Sequence, residues 1–264
     1  MTDAVPPEIR SRLDDPFREL AGPLAGARRL SFTVAASERI SPAVHEVMLT
    51  APELDGFGYQ PGQDVMLLVA AEGARPVRRR YTIRSLDRGA PALRLHIVRH
   101  AGGPGERWVR SARPGDRIEG IGPRGKITIS PGADWHLFLG DESAMPAIFA
   151  MTEALPGDAD ATLVIEVPGP ADEQELLAPA RTRVSWLHRL GRPAGDRALL
   201  TAEAAEVELP PGAGHAYVLG EARVVLAVRE VLAARGLPPG QISAKAYWGR
   251  GRANAGHGEP PRDA

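Results

Sequence analysis

WHLFLGDESAMPAIFAMTEAL, residues 135–155, divides the chain into two kinds of pattern. Trp135 to Leu139 is a nearly continuous apolar run that reaches Gly140-Asp141-Glu142-Ser143 and then a helical pattern from Pro146 to Leu155. A strand buried on both faces, a turn and a helix make the opening unit of a parallel sheet. Downstream, TLVIEV (162–167), RVSWLH (183–188) and AYVLG (216–220) are further apolar strands. EARVVLAVREVLAARG (221–236) is amphipathic, with Val224, Val228, Val231 and Leu232 on one face and Gly236 as its stop. ISAKAYW (242–248) is a last strand. This alternation predicts a parallel sheet covered by helices on both faces.

Upstream the pattern differs. LSFTVAA (30–36), VHEVMLT (44–50), DVMLLVA (64–70), RRYTIRS (79–85), ALRLHIVR (92–99) and RIEGIG (117–122) are short runs of strand length between Gly, Pro and Asp clusters. ALRLHIVR alternates, with Leu93, Leu95 and Ile97 on one face. Six such strands in a domain of this size suggest a small closed antiparallel barrel, which leaves no exposed edge. The expected organisation is an N-terminal arm (1–29) with a short helix at Pro16–Leu20, a barrel (30–132), an α/β domain (133–250) and a tail (251–264).

Composition narrows the chemistry. The 264 residues carry a net charge of −1, so no global field favours nucleic acid or an acidic membrane. There is no cysteine, which removes disulfides, thiolate zinc sites, cysteine nucleophiles and cysteine-ligated iron–sulfur clusters. No apolar run approaches the ~20 residues of a membrane span, and the first residues lack a signal-peptide pattern. The protein is expected to be cytoplasmic and monomeric, with no membrane or nucleic-acid partner.

Two apparent motifs fail. Gly120 to Lys126 has P-loop spacing, but Ile127 stands where a Ser or Thr would hold magnesium, and a β-like ITIS follows in place of a helix. His96 and His100 are four apart on a strand, roughly 13 Å, too far to share a metal. No metal site is expected.

Three stretches carry chemistry. Arg79-Arg80-Tyr81-Thr82-Ile83-Arg84 sets cations beside an aromatic and a hydroxyl. Arg79 suits a phosphate fork, Tyr81 a ring face and Thr82 a ring edge; a solvated edge strand with an inward Tyr explains the same residues without a ligand. His100-Ala-Gly-Gly103-Pro104-Gly-Glu106-Arg-Trp108 leaves a strand and enters a helix, where free backbone amides attract anions; a plain Gly-rich loop is the alternative. Gly140 to Ser143 lies beyond a strand's carboxyl end, where open α/β sheets bind ligands. Ser143 is not in a GxSxG elbow, and the stretch that follows this strand carries no GxGxxG fingerprint.

Taken in order, RRYTIR, the HxxGPxxxW loop, GDESAMPAI, VIEV with DEQEL, WLHR, LGEAR and the final YW-x-RGR resemble the siderophore-interacting proteins over about residues 30–252. That family consists of FAD-dependent ferric-siderophore reductases related to the ferredoxin reductases. The resemblance implies a six-stranded FAD-binding barrel followed by an NAD(P)H-binding-type domain. It implies that Arg79, Tyr81 and Thr82 meet FAD phosphate, isoalloxazine and N5, and that Val98, Arg99, His100, Gly103, Pro104 and Trp108 wrap its pyrophosphate end. Asp141, Glu142 and Ser143 would approach the flavin, with Gly140, Arg189, Gly220 and Glu221 on the nicotinamide side. Lys245, Arg250 and Arg252 would face a ferric siderophore. Gly105-Glu106 stands where the family usually has Ala-Ser, and Glu46 where it commonly has Arg. Glu166 could bond a ribose hydroxyl of NADH and Arg189 a 2′-phosphate of NADPH, so the nicotinamide cofactor stays open. Two other functions fit the same residues: a flavin-dependent NAD(P)H oxidoreductase with a non-siderophore acceptor, and a non-catalytic ferric-chelate-binding relative.

Overall fold

The computed structural model describes residues 27–71, 74–99, 102–178 and 181–251. The arm, including Pro16–Leu20, and the tail from 252 lie outside the described residues.

Alternation builds the first half. Leu30, Phe32 and Val34 of β1 (Arg28–Arg39), Val65, Leu67 and Val69 of β3 (Asp64–Ala71), and Leu93, Leu95 and Ile97 of β5 (Ala92–Val98) all point into one core. Each such side chain contributes roughly 1.5–3 kcal/mol by leaving water. β2 (Val44–Thr50), β4 (Ala74–Asp87) and β6 (Arg117–Arg124) complete a closed antiparallel barrel in the order β1-β2-β5-β4-β3-β6. Closure comes from β1, which pairs with both β2 and β6. Helix α1 (Pro104–Ser111) crosses between β5 and β6 and sends Val109 into the barrel core. β6 runs through most of the P-loop-like segment, and no helix follows it. The ITIS segment belongs to no strand and no helix.

In the second half β7 (Trp135–Asp141), β8 (Asp160–Val167), β9 (Thr182–His188), β10 (Gly214–Glu221) and β11 (Ile242–Trp248) form a parallel sheet ordered β11-β10-β7-β8-β9. Every residue of β7 and of β10 is buried, which is why those segments read as apolar runs rather than alternating ones. Helices α2 (Met145–Glu153), α3 (Ala198–Glu206) and α4 (Ala222–Ala234) cover the sheet. The strand order reverses between β7 and β10, opening the crevice where such sheets take ligands.

The halves share a seam. Arg84 of β4 makes a fork with Glu153 of α2, both contacts at 2.6 Å. Ser41 Oγ and the Ala43 N–H both donate to Asp172 Oδ1 at 2.7 Å. Gly62, with φ +96°, lies so close to the Ile127 carbonyl that a Cβ would sit 2.4 Å from its oxygen. Only glycine permits both that conformation and that approach.

Candidate functional site

Strand β4 carries two sets of side chains, because neighbours on a strand point to opposite faces. Tyr81 packs on the barrel core. Arg84 crosses to the α/β half, and Arg80 lies on the same face of β4 as Arg84. There Arg80 Nε donates to Asp64 Oδ1 at 3.0 Å, and its Nη2 pairs closely with Oδ2. Lys245 Nζ, from the middle of β11, reaches the same Oδ2 at 3.2 Å and lies 5.1 Å from the Tyr247 ring centre. Arg124 completes the group; burial, then the Arg80 charge, lower its affinity for its proton, and Asp64 opposes them. Its Nε is buried with no hydrogen-bond partner among the described residues. Three cations thus crowd one carboxylate that is 2% exposed.

On the barrel side, Tyr81 lies under the first turn of α1. A Cβ on Gly105 would fall 2.5 Å from the Tyr81 hydroxyl and 3.7 Å from Arg79 Cγ. The Tyr81 and Trp108 ring centres are 6.1 Å apart, tilted by 30°. Glu106 Oε2 accepts the Gly102 N–H at 2.8 Å, and Oε1 lies 3.9 Å from Arg99 and 3.8 Å from Arg110.

The strand ends of the parallel sheet hold a buried acid network. Asp141 Oδ1 accepts the Ser143 N–H at 2.9 Å and, more closely, its hydroxyl. Its Oδ2 accepts Trp248 Nε1 at 2.8 Å and the Glu221 N–H at 3.0 Å. One carboxylate therefore ties together the ends of β7, β10 and β11. Gly220 must be glycine, since its φ is +139° and a Cβ would lie 2.7 Å from Asp141 Oδ2. Burial, then the Glu142 charge, push Asp141 up to about 6. Arg189 forks onto Glu142 with two contacts of 2.6 Å and reaches Glu166 at 3.2 Å. Burial raises Glu166 to about 7, against the pull of Arg189.

Residues 69–127 match the model of the siderophore-interacting FAD-binding domain, and residues 133–251 that of the siderophore-interacting protein. A solved siderophore utilization protein from T. fusca is 33% identical and superposes with a TM-score of 0.80 over 88% of this chain and 97% of its own. The chain belongs to the siderophore-interacting protein family. Among relatives of this siderophore-interacting protein, the ferric vibriobactin reductase ViuB of Vibrio cholerae is 33% identical over 182 residues, 67% of this chain and 66% of ViuB. The NADPH-dependent ferric-chelate reductase of Escherichia coli is 28% identical over 261 residues, 90% of this chain and 95% of its own.

The barrel of this siderophore-interacting protein has a donor set that fits the FAD its domain match assigns. Arg99 Nε is buried with no hydrogen-bond partner among the described residues. Among the described residues, no side chain caps α1 at Gly103 and no atom lies within 4 Å of where a Cβ on Gly102 or Gly103 would be. The Gly103 helix start and the cations Arg79 and Arg99 suit a pyrophosphate, while Glu106 occupies the Gly102 amide.

The structure sorts the residues singled out from sequence. Arg79, Tyr81, Arg99, Gly103, Pro104 and Trp108 come together around the start of α1, with Val98 at the end of β5. Thr82 pairs with Asp64 across the ladder and so lies on the face opposite Tyr81. Asp141 and Glu142 turn inward and are 4% and 5% exposed. Ser143 beside them is only half-buried. Gly140 is packed against Leu219 and Ala144, and Glu221 caps α4. Arg189 is enclosed by Glu142 and Glu166, so its guanidinium is not presented to a phosphate. Lys245 and Arg250 part company: Lys245 joins the seam, whereas Arg250 lines a cavity with Arg197 and Arg223. His100 and Arg252 lie outside the described residues. Sequence reading missed Arg80, Arg124 and Asp64 as one cluster; the only signal was the run of Arg78, Arg79 and Arg80.

Proposed function

We propose that the protein is a ferric-siderophore reductase that uses NAD(P)H and FAD to reduce chelated Fe(III) and release Fe(II) for iron assimilation. The observation that carries this reading is the seam cluster of Arg80, Arg124 and Lys245 around the Asp64 carboxylate. Its excess positive charge would draw an anionic ferric chelate to the boundary between the two halves. The names of the ferric vibriobactin reductase and the ferric-chelate reductase support the same substrate class.

When bound, FAD supplies the redox chemistry, taking a hydride from NAD(P)H and giving up electrons singly. The chain's own residues bind and orient. Arg79 and Arg99 would hold the phosphates, Tyr81 with Trp108 would flank the ring end, and the Asp141 network fixes the strand ends facing the crevice. No protein acid or base is required. Release follows from ligand chemistry, since hard siderophore oxygens hold Fe(III) far better than Fe(II).

The test is an anaerobic assay of purified protein with FAD, NAD(P)H and ferric siderophores, with Fe(II) trapped by ferrozine. Iron release that needs all three components supports the reading. Flavin reduction without iron release moves the acceptor elsewhere and overturns it. Lys245→Met is expected to raise KM for an anionic ferric chelate several-fold and leave KM for NAD(P)H unchanged, with Arg80 still holding Asp64. Equal effects on both substrates would remove Lys245 from the chelate site.

Glu106 bears on the cofactor. Its carboxylate holds a loop amide and shields Arg99, both of which a pyrophosphate would use. Glu106→Gln keeps an acceptor for Gly102 and deletes the charge. FAD is expected to bind about two- to fivefold more tightly, read by quenching of flavin fluorescence. An unchanged Kd would show that the carboxylate does not compete.

A further inference from the structure

The seam cluster holds a carboxylate that a site built only to attract anions would not need. Arg80 and Lys245 both bond Asp64 Oδ2, and Arg80 Nε also donates to Oδ1 at 3.0 Å. Arg124 is the ladder partner of Asp64 in β6, yet among the described residues it makes no ion pair with this or any other carboxylate. Its Nη1 donates instead to Met66 Sδ at 2.9 Å, a weak acceptor. The other acids of the seam are engaged elsewhere. Glu153 holds the Arg84 fork, and Asp172 takes the Ser41 hydroxyl and the Ala43 N–H.

The backbone turn at Gly125 lies against the Asp64–Lys245 pair. A Cβ on Gly125 would fall 3.5 Å from Asp64 Oδ2 and 3.7 Å from Lys245 Nζ. Both side chains of that pair are buried, whereas Arg80 keeps 18% of its side chain exposed and Arg124 is half-buried. Arg80 and Arg124 are therefore the members a ligand meets first. Asp64 acts on that ligand through its charge and through the donors it occupies, not by contact. Its charge carries further through protein than it would through water.

We propose that Asp64 is a specificity-determining residue of the chelate site: it admits ferric chelates of little or no negative charge by cancelling the advantage that the cations would give to trianionic ones. The inference rests on the reductase reading and names the charge class of its substrate. Three cations without a carboxylate would reward every negative charge on a chelate. A tris-catecholate holds Fe(III) as a trianion, whereas a simple tris-hydroxamate complex is neutral. Asp64 repels the first and is indifferent to the second. It also takes donors of Arg80 and Lys245 that catecholate oxygens would need. Arg124, with Nε unpartnered among the described residues, keeps a donor for a chelate oxygen.

The experiment is titration calorimetry of the full chain with two redox-inert gallium(III) chelates, a hexadentate tris-catecholate and an uncharged cyclic tris-hydroxamate. The readout is the ratio of their affinities, which loss of packing does not move in step with charge. Asp64→Asn adds one positive charge to the cluster, Lys245→Met removes one, and the double substitution restores the native balance. The ratio is expected to move at least about tenfold toward the tris-catecholate in Asp64→Asn and at least about tenfold away from it in Lys245→Met. In the double variant it should return to within about threefold of the native value. Circular dichroism checks each fold. Should Asp64→Asn not fold, the step from Lys245→Met to the double variant removes the same carboxylate and decides the question. A ratio that does not move on removing Asp64, or that the double variant does not restore, would overturn the proposal. Iron release in the ferrozine assay separates the two readings. An unmoved ratio with iron release sinks the role of Asp64 and leaves the reductase standing. A ratio that follows the cluster charge without iron release supports that role and sinks the reductase.

Discussion

Arg189→Met is expected to lower the unfolding free energy by about 3–5 kcal/mol, because it leaves buried carboxylates without their counter-charge. Arg189, Glu142 and Glu166 are 6%, 5% and 1% exposed, and Asp141 lies beside them. Burial alone would loosen the Arg189 proton, yet Glu142 and then Glu166 more than reverse that, which marks how strongly the cation is held. The substituted methionine fills much of the volume but supplies no donor. Urea denaturation of the full chain measures the loss; a change below about 1 kcal/mol, the range of exposed ion pairs, would show that the triad is not stabilising.

The loss has a pH signature. Glu166 titrates at about 7 in the folded chain against a usual 4.5. An acid that holds its proton more tightly when folded favours folding fully below its unfolded value, and that contribution fades as pH rises through the folded value. Asp141, at about 6 against 3.8, acts in the same direction. The network of the native protein therefore stabilises less at pH 8 than at pH 4.5. In Arg189→Met the unpaired acids must ionise or stay protonated without help, so the deficit should be larger at pH 8 than at pH 5. A deficit independent of pH would point to lost packing instead of uncompensated charge.

This network also shows where sequence reading stops. The barrel was legible because Leu93, Leu95 and Ile97 alternate, and the parallel sheet because β7 and β10 are buried throughout. Glu221 as the start of a helix ending near Gly236 was legible from the same periodicity. Asp141-Glu142 after a strand reads as a ligand-facing turn, and nothing local says otherwise. What turns Glu142 inward is Arg189, 47 residues away in the chain. Asp64 and Lys245 are 181 apart and belong to different halves, so their pairing has no periodic signature. Arg197 lies in no motif and Arg223 closes the LGEAR stretch, and the two meet only because α3 and α4 bring their starts to one cavity. Periodicity reports which face is buried; it does not report which distant charge is buried with it.

Tyr81→Ala is expected to weaken FAD binding about 5- to 150-fold, the range for losing one ring stacked on an aromatic side chain. The geometry makes Tyr81 the residue most exposed to that loss. Its ring lies near Trp108, its hydroxyl occupies the space left by the missing Gly105 side chain, and Arg79 packs alongside. Burial holds its phenol protonated far above the usual range, so the ring stays neutral at any working pH. Tyr81 also packs on the barrel core, and truncating a large core aromatic can cost about 3–5 kcal/mol of stability. Two further variants separate these effects. Tyr81→Phe keeps the flat face and most of the volume, and should bind FAD within about threefold of the native chain, since only a neutral hydroxyl is lost. Tyr81→Leu refills the core without a ring, and should fold well while binding FAD nearly as poorly as the alanine variant. Flavin per chain after gel filtration and the fluorescence Kd give the readout. If Tyr81→Leu retains full FAD affinity, the ring is a wedge under α1 and not a platform for the flavin.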